Sequence, residues 1–128
     1  DKNNLAKNII LHKKFIPYED VEYYYCASDL VVLPYKKIYQ SGVLMMTLSY
    51  ERPALVSDLP PLKDVIIDNE NGFLFKTEDI EDLADKITII LSDQENLERV
   101  RTNGSSLINT KFGWDEIGRL TKKAYQTL

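Results

Sequence analysis

The 128-residue chain has little of several things, and each scarcity excludes a class of function. It has one cysteine, Cys26, and one histidine, His12. An intramolecular disulfide is excluded, and so are the thiol- and imidazole-rich sites that hold structural zinc. Basic charge is not in excess: 16 Lys and Arg stand against 20 Asp and Glu, a net charge of −4. There is no general electrostatic field for nucleic acid or an anionic membrane, so any anion site must be local. Long apolar runs are missing too. Leu30 to Leu33 and Val43 to Leu48 fall well short of the roughly 20 residues of a spanning helix. A single soluble acidic domain, with a cytoplasmic address, is the expectation. The opening residues Asp1 to Asn8 read like a helix end and a turn, as in a fragment.

Short apolar runs alternate with helical patterns. Asn8 to His12 carries Ile9, Ile10 and Leu11 in a row, which predicts a first strand buried on both faces of a parallel sheet. Leu30 to Leu33, closed by Pro34, and Ala54 to Val56, closed by Ser57 to Pro61, predict a second and a third. Gly72 to Phe75 follows the turn signal Asp68 to Gly72 and predicts a fourth. Between them Val21, Tyr24, Tyr25 and Ser28 keep helical spacing after Pro17, and Gly42 to Tyr50 is apolar nearly all round. Ile80, Leu83, Ala84, Ile87 and Leu91 form an amphipathic stripe with Thr77 as its expected cap, and Leu97, Val100, Gly104, Leu107 and Ile108 form another. Ile117, Leu120, Ala124 and Leu128 mark a terminal helix. The alternation predicts an α/β fold, a mostly parallel sheet with helices on both faces.

Ligands of open parallel sheets bind beyond the carboxyl ends of the strands. Lys13 and Lys14 follow the first expected strand; Lys36, Lys37, Tyr39, Gln40, Ser41 and Gly42 follow the second; Ser57 and Asp58 follow the third. Ser41 is placed to cap the next helix and Gly42 to admit a ligand to the backbone, leaving the amides of Gly42, Val43 and Leu44 to a phosphate. The same residues also describe an ordinary capped helix beside solvent-facing lysines. His12, without a visible partner at the end of a strand, reads as structural. Tyr18, Tyr23, Tyr24 and Tyr25 read as packing against the sheet with hydroxyls outward, Trp114 with Tyr125 as packing, and Cys26 as a small buried group. Asp29 and Asp58 read as turn and helix-boundary residues, and Glu78 to Asp82 as a solvated helix face.

In order and spacing, several segments together resemble the nucleotide-sugar-binding half of GT-B glycosyltransferases of the family 4, or group 1, type. They are Phe15-Ile16-Pro17, Tyr24-Tyr25, Ala27 to Tyr35, Gln40 to Leu44, Pro53 to Asp58, Asn71 to Phe75, Asp79 to Ala84, Phe112-Gly113-Trp114 and Tyr125. The resemblance implies a carboxy-terminal Rossmann-like domain that binds a nucleoside-diphosphate sugar and is paired with an amino-terminal acceptor domain. That domain, and the first strand-helix units of the donor domain with their diphosphate-clamping Arg and Lys, are not in this sequence, so the chain alone is expected to be inactive. The transfer it implies needs no metal or other cofactor and retains anomeric configuration, with a glycan or lipid-linked acceptor and peripheral membrane association open to the parent. Carried over residue by residue, Ser41, Gly42, Val43 and Leu44 with Lys36 and Lys37 face the diphosphate. Tyr39, Gln40 and Thr47 face the sugar or ribose, and Lys13 and Lys14 lie on the nucleobase side. The chain departs from the family where Tyr39 and Thr47 stand in place of two glutamates, where Pro60, Pro61 and Asp64 stand in place of paired glycines and a glutamate, and where Lys14 stands in place of a glycine. These departures keep open a second class, a noncatalytic nucleotide-binding or protein-interaction module.

Overall fold

The computed structural model describes residues 7–127. Three short parallel strands, β1 (Val31–Leu33), β2 (Ala54–Ser57) and β3 (Phe73–Phe75), lie in the order β1-β2-β3. Their register pairs Val32 with Leu55 and Val56 with Leu74. Parallel neighbours require crossovers, and helices supply them: α2 (Gly42–Ser49) joins β1 to β2, and α3 (Pro60–Lys63) begins the return to β3. The helices α1 (Tyr18–Cys26), α4 (Ile80–Ser92), α5 (Gln94–Lys111) and α6 (Trp114–Gln126) complete the fold.

Side chains alternate across the sheet, as strand geometry requires. Leu33, Ala54 and Val56 face α2 and α3, meeting Leu44, Leu48, Leu62 and Ile66. Leu55, Phe73 and Phe75 face the other way, onto Ile90 of α4 and Leu97 and Val100 of α5. Both faces are therefore covered, which is why each strand reads as a continuous apolar run. Gly104 sits where α5 crosses α2. A Cβ there would lie 2.9 Å from Leu48 Cδ2 and 3.0 Å from the Asn71 carbonyl oxygen, so the glycine is demanded by close approach.

Several sequence expectations give way. Asn8 to His12 is not a strand: Ile9, Ile10 and Leu11 are 60%, 85% and 68% exposed. A strand needs a ladder partner, and among the described residues the sheet consists of β1, β2 and β3 alone, with no ladder to the Ile9 to Leu11 run. The cap of α4 is Asp79, whose side chain accepts from the Asp82 amide, while Thr77 is drawn to Asp58 instead. Cys26, Tyr18, Tyr23, Trp114 and Tyr125 are exposed. Tyr25 does pack, but on Tyr50, with ring centroids 4.9 Å apart, and not on the sheet. No Pro-Pro helix was expected at α3, although proline is suited to a first turn.

Candidate functional site

The carboxyl ends of the strands gather three loops: Pro34 to Ser41, Asp58 to Leu59 and Lys76 to Asp79. Within the first, Ser41 has an extended backbone and its Oγ accepts from the Leu44 amide at 3.1 Å, which stops the extended chain and opens α2. The Leu44 amide is thus taken, contrary to expectation, because the capping hydroxyl satisfies it. The amides of Gly42 and Val43 find no acceptor among the described residues. Gly42 has no positive φ, and a Cβ placed on it would meet nothing within 4 Å. Its backbone faces open space, and the helix dipole there favours negative charge.

Lys36 lies on this rim but is engaged, its Nζ 2.6 Å from Glu78 Oε1, and the carboxylate raises the pKa of the ammonium. Glu78 is held at φ 64, a strained setting for a side-chain-bearing residue, so the pair is anchored by the backbone of the β3–α4 turn. Lys37 Nζ sits 5.6 Å from the centre of the exposed Tyr39 ring. Lys13 and Lys14 are exposed in the segment before α1. His12, beside them, is not strand-borne and does have a partner: its Nδ1 is 2.7 Å from the Tyr24 hydroxyl.

Thr47 does not reach the site. It is fully buried and its Oγ1 donates to the Val43 carbonyl at 2.8 Å, so no ribose hydroxyl can approach it. The face of α2 that is open carries Val43 and Met46 instead, and with Ile16, Val21, Tyr24 and Tyr25 it borders an apolar groove of about 470 Å³. A second cavity, of about 360 Å³, is lined by Tyr39, Gln40, Ser41, Pro61, Asp64 and Phe112 among others. Asp58 stands in the loop after β2. Its Oδ1 accepts from the Thr77 hydroxyl at 2.7 Å and the Thr77 amide at 2.9 Å, and these bonds hold its carboxyl below the ordinary aspartate range. Two features have no mark in one sequence: the positive φ of Glu78, which reads there as part of a solvated helix face, and the cavity that Asp64 lines. Among the described residues no three His, Cys, Asp or Glu side chains gather as a metal would need. No described helix is long and apolar enough to cross a membrane.

Comparison with known proteins gives the family and the fold. The sequence profile of the family described as Glycosyl transferases group 1 matches residues 1–107. The chain belongs to this family. It is 30% identical over 99 residues to the GDP-mannose:glycolipid 4-beta-D-mannosyltransferase of Xanthomonas campestris pv. campestris, covering 77% of this chain and 27% of that protein. The crystal structure of the C-terminal domain of the group 1 glycosyl transferase LpcC from Francisella tularensis superposes with a TM-score of 0.72 at 24% identity, covering 79% of this chain and 52% of that one. Anabaena HepE, solved in complex with UDP, superposes with a TM-score of 0.79 at 17% identity, covering 85% of this chain and 30% of that one. The two solved structures share its fold, that of a GT-B domain. The chain spans between about a quarter and a third of the curated relatives it matches, 27% of one and 35% of another.

Proposed function

We propose that this group 1 glycosyltransferase chain is part of a donor-binding domain that holds a nucleoside-diphosphate sugar for transfer to a glycan or lipid-linked acceptor. The observation that carries the reading is the pair of unengaged amides at Gly42 and Val43, opening α2 onto clear space. Bare N–H groups at a helix start are matched to phosphate oxygens, and here they are preorganised by a cap that occupies the third amide. Binding of UDP by HepE and the GDP-mannose in the name of the Xanthomonas relative support a nucleotide-sugar ligand.

In this reading the amides, with Lys36 and Lys37, neutralise charge that develops on the departing diphosphate, a preorganised electrostatic role that needs no metal ion. Tyr39 and Gln40 lie toward the sugar, and Lys13 and Lys14 toward the base. Met46, not Thr47, is the α2 residue open to the ribose side. The transfer retains anomeric configuration, takes place in the cytoplasm, and depends on a separate acceptor domain, so the chain alone binds donor without turning it over. Calorimetric titration of the chain with UDP, GDP and ADP tests this. Saturation at millimolar concentration or tighter by one of them supports it. No saturation by any of them overturns it in favour of an interaction module, a reading that the absence of a carboxylate at Tyr39 and Thr47 would then favour.

A further inference from the structure

The cavity of about 360 Å³ beside α2 falls in the range of about 300–1,000 Å³ typical of small-molecule sites. Its lining is mixed in chemistry. Tyr39, Gln40 and Ser41 come from the loop that immediately precedes the free amides of Gly42 and Val43 in the chain, and Pro61, Asp64 and Phe112 line the same cavity. Asp64 is the one charged residue in that lining. It caps the end of α3, is exposed, and its carboxylate has no hydrogen bond or ion pair with any described residue. Every other carboxylate around these loops is committed: Asp58 to Thr77, Glu78 to Lys36, Asp79 to the α4 amide.

We propose that Asp64 determines sugar specificity, its carboxylate accepting hydrogen bonds from hydroxyls of the neutral hexose that the diphosphate carries into this cavity; the inference rests on the nucleotide-sugar reading above. Charge sorts the ligand along the cavity. An ionised carboxylate is an acceptor only, so it repels phosphate and leaves it to the α2 amides, while hydroxyl donors are matched to it. A short, single-carboxylate side chain fixed at a helix end discriminates hydroxyl positions, because a hydroxyl in the wrong place leaves the charge without its donor.

The test compares each nucleoside diphosphate with its sugar: UDP with UDP-glucose and GDP with GDP-mannose, titrated into the chain and into its Asp64→Asn and Asp64→Glu variants. The wild-type chain binds one sugar nucleotide more tightly than its parent diphosphate. Asp64→Asn weakens that sugar nucleotide about tenfold, the scale of one charge-assisted hydrogen bond, and leaves the diphosphate unchanged. Asp64→Glu recovers part of the difference. A sugar-to-diphosphate affinity ratio that is the same in wild type and Asp64→Asn, or a wild-type ratio of one, overturns this inference and leaves the donor-site reading standing. Failure of all four probes to bind the wild type overturns both. Unchanged circular dichroism melts verify that the variants are folded.

Discussion

Gly42 shows how a residue can serve binding at the expense of stability. Nothing in its conformation needs glycine, and a methyl group there touches nothing within 4 Å, so Gly42→Ala should keep the fold and gain about 0.5 kcal/mol in urea denaturation from the smaller entropy of the unfolded chain. The same methyl group stands where a phosphate would approach, so affinity for UDP or GDP should fall. A variant that is both more stable and weaker in binding separates a ligand site from an ordinary helix start. Asp58 works in the opposite sense, as a stabilising residue. Its bonds to Thr77 lower its folded pKa, so unfolding in acid takes up a proton and acid favours the unfolded chain. The stabilisation is complete above the unfolded aspartate value of about 4 and is lost as pH falls through the lower folded value. Asp58→Asn should therefore cost about 1 kcal/mol at pH 7, and the gap between the urea midpoints of variant and wild type should close as the titration goes below that range.

At the scale of elements, packing overrules propensity at the crossing of α5 and α2. Alanine is a better helix former than glycine by about 1 kcal/mol, yet Gly104→Ala should destabilise by about 1–3 kcal/mol, because its Cβ would press on Leu48 and on the backbone oxygen of Asn71. A lower melting temperature with an unchanged circular dichroism spectrum would show it. Gly104 fell on the apolar stripe of Leu97 and Val100, so its burial was legible in the sequence; the neighbour that required it was not. β1, β2 and β3 were legible for a related reason, since each is a run of apolar residues stopped by turn chemistry. Ile9 to Leu11 has the same look without being a strand, because periodicity records what a segment is suited to bury and not whether a partner lies beside it. At the site, Ser41, Gly42 and Val43 were legible from the cap and the strand-to-helix turn. The burial of Thr47 was not legible, because one position on a helix is about 100° of rotation, enough to turn a side chain from the open face into the core. Thr47→Val, which removes only a hydroxyl bonded to the Val43 carbonyl, should accordingly leave nucleotide affinity unchanged in the same titration.

The whole molecule leaves much apolar surface in water. On α6, Trp114, Ile117, Leu120 and Tyr125 are 86%, 39%, 48% and 76% exposed, and at a spacing of three residues Trp114, Ile117 and Leu120 share one side of the helix. A continuous apolar stripe of this kind in a monomer marks a surface that another surface covers or one that drives association. Elsewhere on α6 the charges include Arg119 paired to Glu116, so they lie off the apolar stripe. The isolated chain should therefore self-associate through α6 as its concentration is raised. Trp114 is the only tryptophan, so its emission reports on this face alone. It should have the red-shifted, readily quenched fluorescence of an indole in water when dilute, and shift to the blue as sedimentation velocity detects larger species. Ile117→Glu with Leu120→Glu should abolish both changes without lowering the melting temperature, because neither side chain is buried in the core of the chain. If the pair instead unfolds the protein, the stripe is holding α6 to the rest of the fold and is not a free surface.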